Sequence, residues 1–168
     1  MVNKKRFILA SVMAWLFFLM LDFMAHATLL NRFWAQEYPA LKSKEELFRL
    51  IPFGYLSFLI LTLLIGWIYI RFVKDGGTTK KGLAFGAAFG GLYALVTFLT
   101  WYSALNLPIL FVLLISFVYF VEIVAVGFTF GFLLPPVSVK KRVWALAGII
   151  FFGFVLSIII QNIIPSAQ

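Results

Sequence analysis

Residues 7–30 read FILASVMAWLFFLMLDFMAHATLL, a run long enough to cross a bilayer that nonetheless carries Asp22 and His26. A membrane-spanning helix needs about 20 largely apolar residues. An ionisable residue at the bilayer centre costs roughly 2.5–3.5 kcal/mol on insertion scales, so it usually faces protein or water. Asp22 and His26, the one histidine in the chain, are four residues apart and therefore share a helix face. Trp15 lies two turns further toward the N-terminus. Whatever else this chain does, its first span has a polar side.

The remainder of the chain repeats the apolar pattern. Apolar residues make up 64% of the 168, against about 45–50% in ordinary soluble domains. Mean hydropathy is +1.06. The apolar runs fall into five spans, at about 7–30, 50–73, 82–104, 108–134 and 143–164. No room is left for a separate soluble domain, so residues 1–168 are expected to form one all-α membrane domain, a bundle of five transmembrane helices. Lys4-Lys5-Arg6 and Ala25-His26-Ala27 imitate the flanks of a secretory signal. The run between them exceeds the ~7–15 apolar residues of such a segment, and a retained first helix is expected.

Charge gives the orientation. With the N-terminus inside, ten of the fourteen Lys and Arg residues fall inside: Lys4, Lys5, Arg6, Arg71, Lys74, Lys80, Lys81, Lys140, Lys141 and Arg142. Arg32, Lys42, Lys44 and Arg49 fall outside. This is the bias of an N-in, C-out membrane protein. It accounts for the net charge of +8 without nucleic acid as a partner. The chain has no cysteine, which excludes disulfides, thiolate nucleophiles, Cys-ligated metals and c-type haem. No nucleotide loop, zincin motif or Ser/His/Asp arrangement is present.

Local signals mark the connections. Residues 31–49 are the longest loop, with Phe33, Trp34 and Tyr38 suited to the membrane–water interface. Trp101 and Tyr102 belong to the same outer belt, and Trp67, Tyr69 and Trp144 to an inner one. Ser43-Lys44-Glu45-Glu46 reads as a capping box that starts a helix running into the second span. Pro52 predicts a bend there. Asp75-Gly76-Gly77 supplies a tight turn, Pro135-Pro136 stops the fourth span, and Pro165 ends the fifth. Gln161 and Asn162 are expected at interfacial water.

Two constellations stand out. Gly82, Gly86 and Gly90 recur every four residues in the inner half of the third span, and Gly127 and Gly131 in the inner half of the fourth. Small residues let membrane helices approach closely, so these rows are expected to face each other as an antiparallel pair. Homodimerisation is the alternative. The second constellation is ionisable. Glu122 sits near the middle of the fourth span and shares a face with Tyr119, Ala125 and Thr129. It points away from Gly127 and is therefore free to meet another helix, the first being the natural choice. Asp22, His26, Glu122 and Tyr119 then form a candidate proton or ligand site. One carboxyl is expected to stay protonated, or Asp22 to pair with protonated His26. The bland alternative is an Asp–His pair satisfied on its own helix, with a neutral Glu122 bonded to a backbone carbonyl or to Tyr93. One imidazole and two carboxyls make a poor transition-metal set, and no metal or other cofactor is expected.

Asp22-x-x-x-His26-x-x-Leu29-Leu30, Gly82-Leu83-x-Phe85-Gly86 after the basic turn, and Glu122 with Gly127-x-x-x-Gly131 resemble a group of small uncharacterised bacterial inner-membrane proteins. The similarity covers about residues 7–134, and the fifth span is an addition. The resemblance implies a multi-pass protein of the bacterial cytoplasmic membrane and imports no activity. By elimination, the expected function is a non-enzymatic accessory or assembly subunit, with the lipid bilayer, other membrane subunits or further copies of itself as partners. The rival is a proton-coupled carrier or conduit for a small solute that uses the Asp/His/Glu cluster.

Overall fold

A computed structural model describes residues 3–73, 76–136 and 138–163, apart from the side chain of Lys44. Five long helices carry the chain: α1 (Lys4–Ala27), α3 (Lys44–Phe72), α4 (Thr79–Ala104), α5 (Ile109–Leu133) and α6 (Val139–Ile163). A single-turn helix, α2 (Asn31–Trp34), follows α1. No strand occurs among the described residues. All five long helices are long and apolar enough to cross a membrane.

Caps set the boundaries. The Asn3 side chain accepts from the Lys5 amide at 2.9 Å and starts α1. The helix ends at Ala27 rather than at the expected Leu30. Thr28 leaves helical geometry, at φ −120° and ψ −81°, while its hydroxyl donates back to the Met24 carbonyl at 2.7 Å. At α3 the capping box forms: Ser43 Oγ accepts from the Glu46 amide, and a Glu46 carboxylate oxygen accepts from the Ser43 amide, both at 3.3 Å. The helix then runs through Pro52 without a break. Its 29 residues extend about 43 Å at ~1.5 Å per residue, against about 30 Å of hydrocarbon. The helix is thus longer than the hydrocarbon is thick, an excess that a span takes up by tilting or by entering the headgroup region.

Gly76 and Gly77, at φ +75° and +67°, make the turn into α4. Asp75, expected in that turn, lies outside the described residues, as do Lys74 and the Ile164-Pro165 end of the fifth span. At the far end of α5, the Arg142 guanidinium donates to the Phe132 carbonyl and lies 4.9 Å above the Phe132 ring. A cation is favourable at a helix C-terminus, where the carbonyls lack partners.

Packing centres on α1 and α5. Helix α1 lies against α3, α5 and α6, while α5 touches α1, α3 and α4. The closest approach is between α4 and α5, and glycine permits it. A Cβ on Gly82 would stand 2.8 Å from the Gly131 Cα, one on Gly127 would stand 2.7 Å from the Gly86 Cα, and one on Gly90 would stand 3.0 Å from the Phe120 carbonyl. The three glycines of α4 thus lie against α5 in antiparallel register, within one chain.

Tyr69 departs from the inner belt where its position near a span end had put it. It is fully buried, packs on Phe85 and Phe130, and donates its hydroxyl to the Gly76 carbonyl at 3.1 Å. The bond ties the α3–α4 turn to the bundle, and a buried phenol needs such a partner. Trp67 and Trp144 remain half or more exposed, as a belt requires.

Candidate functional site

The buried apolar side chains divide into two cores. On α1, the first contains residues up to Met20, and the second resumes at Ala25. On α5, the second ends at Val118 and the first begins at Ile123. Asp22 and Glu122 fall in those two gaps. The acids therefore share a layer between the cores, at one depth on neighbouring helices.

Glu122 is 1% exposed, and neither carboxyl oxygen has a hydrogen-bond partner. The bond to a backbone carbonyl or to Tyr93 that the bland alternative required is absent. Asp22 on α1 lies within electrostatic reach of Glu122 and Tyr119 on α5 and of Tyr55 on α3. Tyr93 on α4 is within the same reach of Glu122. Tyr119 spans the layer: its ring meets Phe58 of α3 at 6.5 Å and Tyr93 at 5.8 Å. Two turns toward the N-terminus of α1, the Trp15 indole donates to the Tyr55 carbonyl at 3.0 Å and ties α1 to α3.

His26 continues the layer outward. Its Nε2 is 3.3 Å from Asp22 Oδ1, with the Asp22 side chain 14% exposed and the imidazole 37%. The two share a face as the four-residue spacing requires, but the contact runs from buried to open. The His26 ring stacks on Trp34 at 5.3 Å and 23°. Trp34 in turn meets Phe111 edge-on at 5.2 Å, and Phe33 and Tyr38 stack on the same Phe111 at 5.1 and 5.8 Å. Phe33, Trp34 and Tyr38, expected at the lipid interface, form an aromatic cap over the second core. Fully buried Phe111 is its anchor.

That cap walls a half-open cleft of about 1300 Å³. Its other walls are the start of α3, with Glu45, Phe48 and Ile51, and the end of α6, where Gln161 lines it. His26 also lines it. Asp22 and Glu122 do not, so the chain of titratable groups leads from cleft to interior: His26, Asp22, then Glu122 and Tyr119. No three of the described His, Asp and Glu side chains stand close enough together to hold a metal ion.

Sequence reasoning missed the cleft. Glu37, Tyr38, Glu45 and Phe48 come together only because the 35–43 connection packs on α5 through Tyr38 and so faces the start of α3 across the cleft. The one hint was the density of aromatic residues around Pro39. No family model, curated protein or solved structure matches the chain.

Proposed function

We propose that the chain is a proton-coupled carrier or conduit for a small solute, not an enzyme, in which His26, Asp22 and Glu122 pass or hold the proton. The observation that supports this best is the unpartnered Glu122 carboxyl, 1% exposed, in a layer shared with Asp22 and connected through His26 to an open cleft. A buried carboxyl without partners costs stability that a leucine would not. A helix bundle that only had to pack would be better off without it. Groups that titrate inside a membrane, facing protein and not lipid, are the usual parts of a proton relay. Tyr119, Tyr93 and Tyr55 lie within electrostatic reach of one or both acids. The accessory-subunit reading rests on elimination, and the exposed apolar side chains of α3, α4 and α6 add nothing to it, since acyl chains cover such faces on any membrane helix. It leaves Glu122 unaccounted for.

The protein sits in a bacterial cytoplasmic membrane, N-terminus inside, so that the cleft opens outward. The reading is tested in liposomes given a pH step and offered one small cation, one small anion and one neutral solute, with internal pH and solute followed together. Uptake of one class should follow the pH step and fall at least about tenfold in Asp22→Asn and Glu122→Gln. Equal uptake with and without the step, or the same step-driven uptake in both variants, would overturn it.

A further inference from the structure

We propose that the cleft binds an organic cation, its charge met by Glu37 and Glu45 and its apolar body laid on Trp34, Tyr38 and Phe48. This deepens the carrier reading by naming the class of solute, and it rests on the cleft being the place where the solute is admitted. Three observations support it. The cleft, about 1300 Å³ and half-open, exceeds the roughly 300–1,000 Å³ of ordinary small-molecule sites. A molecule larger than an inorganic ion is therefore accommodated.

The second observation is the sign of the lining. On a chain of net charge +8, the described charged side chains of the lining are Glu37 and Glu45 against a single ammonium, Lys42. Lys42 is already engaged, with its Nζ 3.9 Å from Glu46 Oε1. The two carboxylates have no ion pair among the described residues. An anionic solute would meet them as like charges, and a neutral one would gain hydrogen bonds from them but no charge attraction.

The third is the aromatic surface. Trp34, Tyr38 and Phe48 all line the cleft, and ring faces attract cations that have been partly stripped of water. Phe48 is 75% exposed near the start of α3. Leu47 and Ile51 on the same wall supply apolar contact. Carboxylates and rings around a roomy cleft are the chemistry that recognises a quaternary or protonated amine with a hydrocarbon body.

The test is equilibrium dialysis of tetraphenylphosphonium against the full-length protein in nanodiscs of zwitterionic lipid, with empty discs subtracted. Tetraphenylborate, matched in shape and opposite in charge, runs in parallel. Wild type should show one saturable site for the cation and none for the anion. Glu37→Gln with Glu45→Gln should weaken cation binding by about tenfold, and Phe48→Ala by a few fold. These exposed substitutions leave the fold intact. Tetraphenylborate binding as tightly, no saturable cation site on wild type, or unchanged affinity in the double variant would each overturn the proposal. Saturable, Glu-dependent binding without any pH-driven uptake would sink the transport reading alone and leave the cation site standing.

Discussion

Glu122 is where the residue scale and the function meet. Its carboxyl sits between two apolar cores with both oxygens unpartnered, and a leucine at that position would bury a similar volume with no polar atom. Glu122→Leu should therefore be neutral or stabilise the fold by roughly 1–3 kcal/mol, while removing pH-driven uptake. Thermal unfolding in detergent, read beside the liposome assay, separates the two effects. A loss of several kcal/mol would mean that the carboxyl has a structural partner. At Asp22 the prediction differs. Its contact with His26 is partly open to water, so Asp22→Asn should cost no more than about 1 kcal/mol and act on proton transfer. The Asp22–His26 contact was legible from spacing alone, because four residues on a helix leave little freedom. The unpartnered state of Glu122 was not, since partners for a buried carboxyl come from other helices and leave no periodic mark. Tyr69 escaped for the same reason: its hydroxyl is satisfied by a glycine carbonyl across a turn.

Among the elements, the α4–α5 pair gives the sharpest contrast. A Cβ at Gly82 would fall 2.8 Å from the Gly131 Cα, whereas one at Gly91 would meet nothing within 4 Å. Because the Gly82 neighbours are backbone, the helices themselves must separate. Gly82→Ala should destabilise the protein by about 1–3 kcal/mol. Gly91→Ala should be neutral or stabilising by up to about 1 kcal/mol, through helix propensity. Unfolding by a denaturing detergent, followed by circular dichroism, measures both, and equal effects would contradict the tight approach. The rows that meet here were readable because four-residue spacing and depth in the span are both properties of sequence. The cap formed by Phe33, Trp34 and Tyr38 on Phe111 was not. It joins a loop to a helix some seventy residues away, and aromatic residues near a span end suit lipid headgroups equally well. Truncating Phe111 to alanine should cost about 3–5 kcal/mol and release the loop to protease cleavage.

At the scale of the molecule, five apolar runs separated by charged or proline-marked turns made the helix count plain. The cleft was hidden because it depends on where the 35–43 connection settles, with Tyr38 stacked on Phe111 of α5 and the start of α3 alongside. Its direction carries the functional argument. The helices alternate, so the turns rich in Lys and Arg gather at one end and the cleft opens at the other. If the basic end is cytoplasmic, the solute meets Glu37 and Glu45 from outside, and inward proton flow passes His26 before Glu122. The absence of cysteine makes this directly measurable, since each introduced thiol is the only one. In spheroplasts, a membrane-impermeant maleimide should label Ala40→Cys in the cleft loop and Asn106→Cys between α4 and α5. Ser138→Cys, before α6, should react only after permeabilisation. The reverse pattern would place the cleft in the cytoplasm. The same residues would then describe an exporter's loading site, with the pH gradient driving solute in the opposite sense.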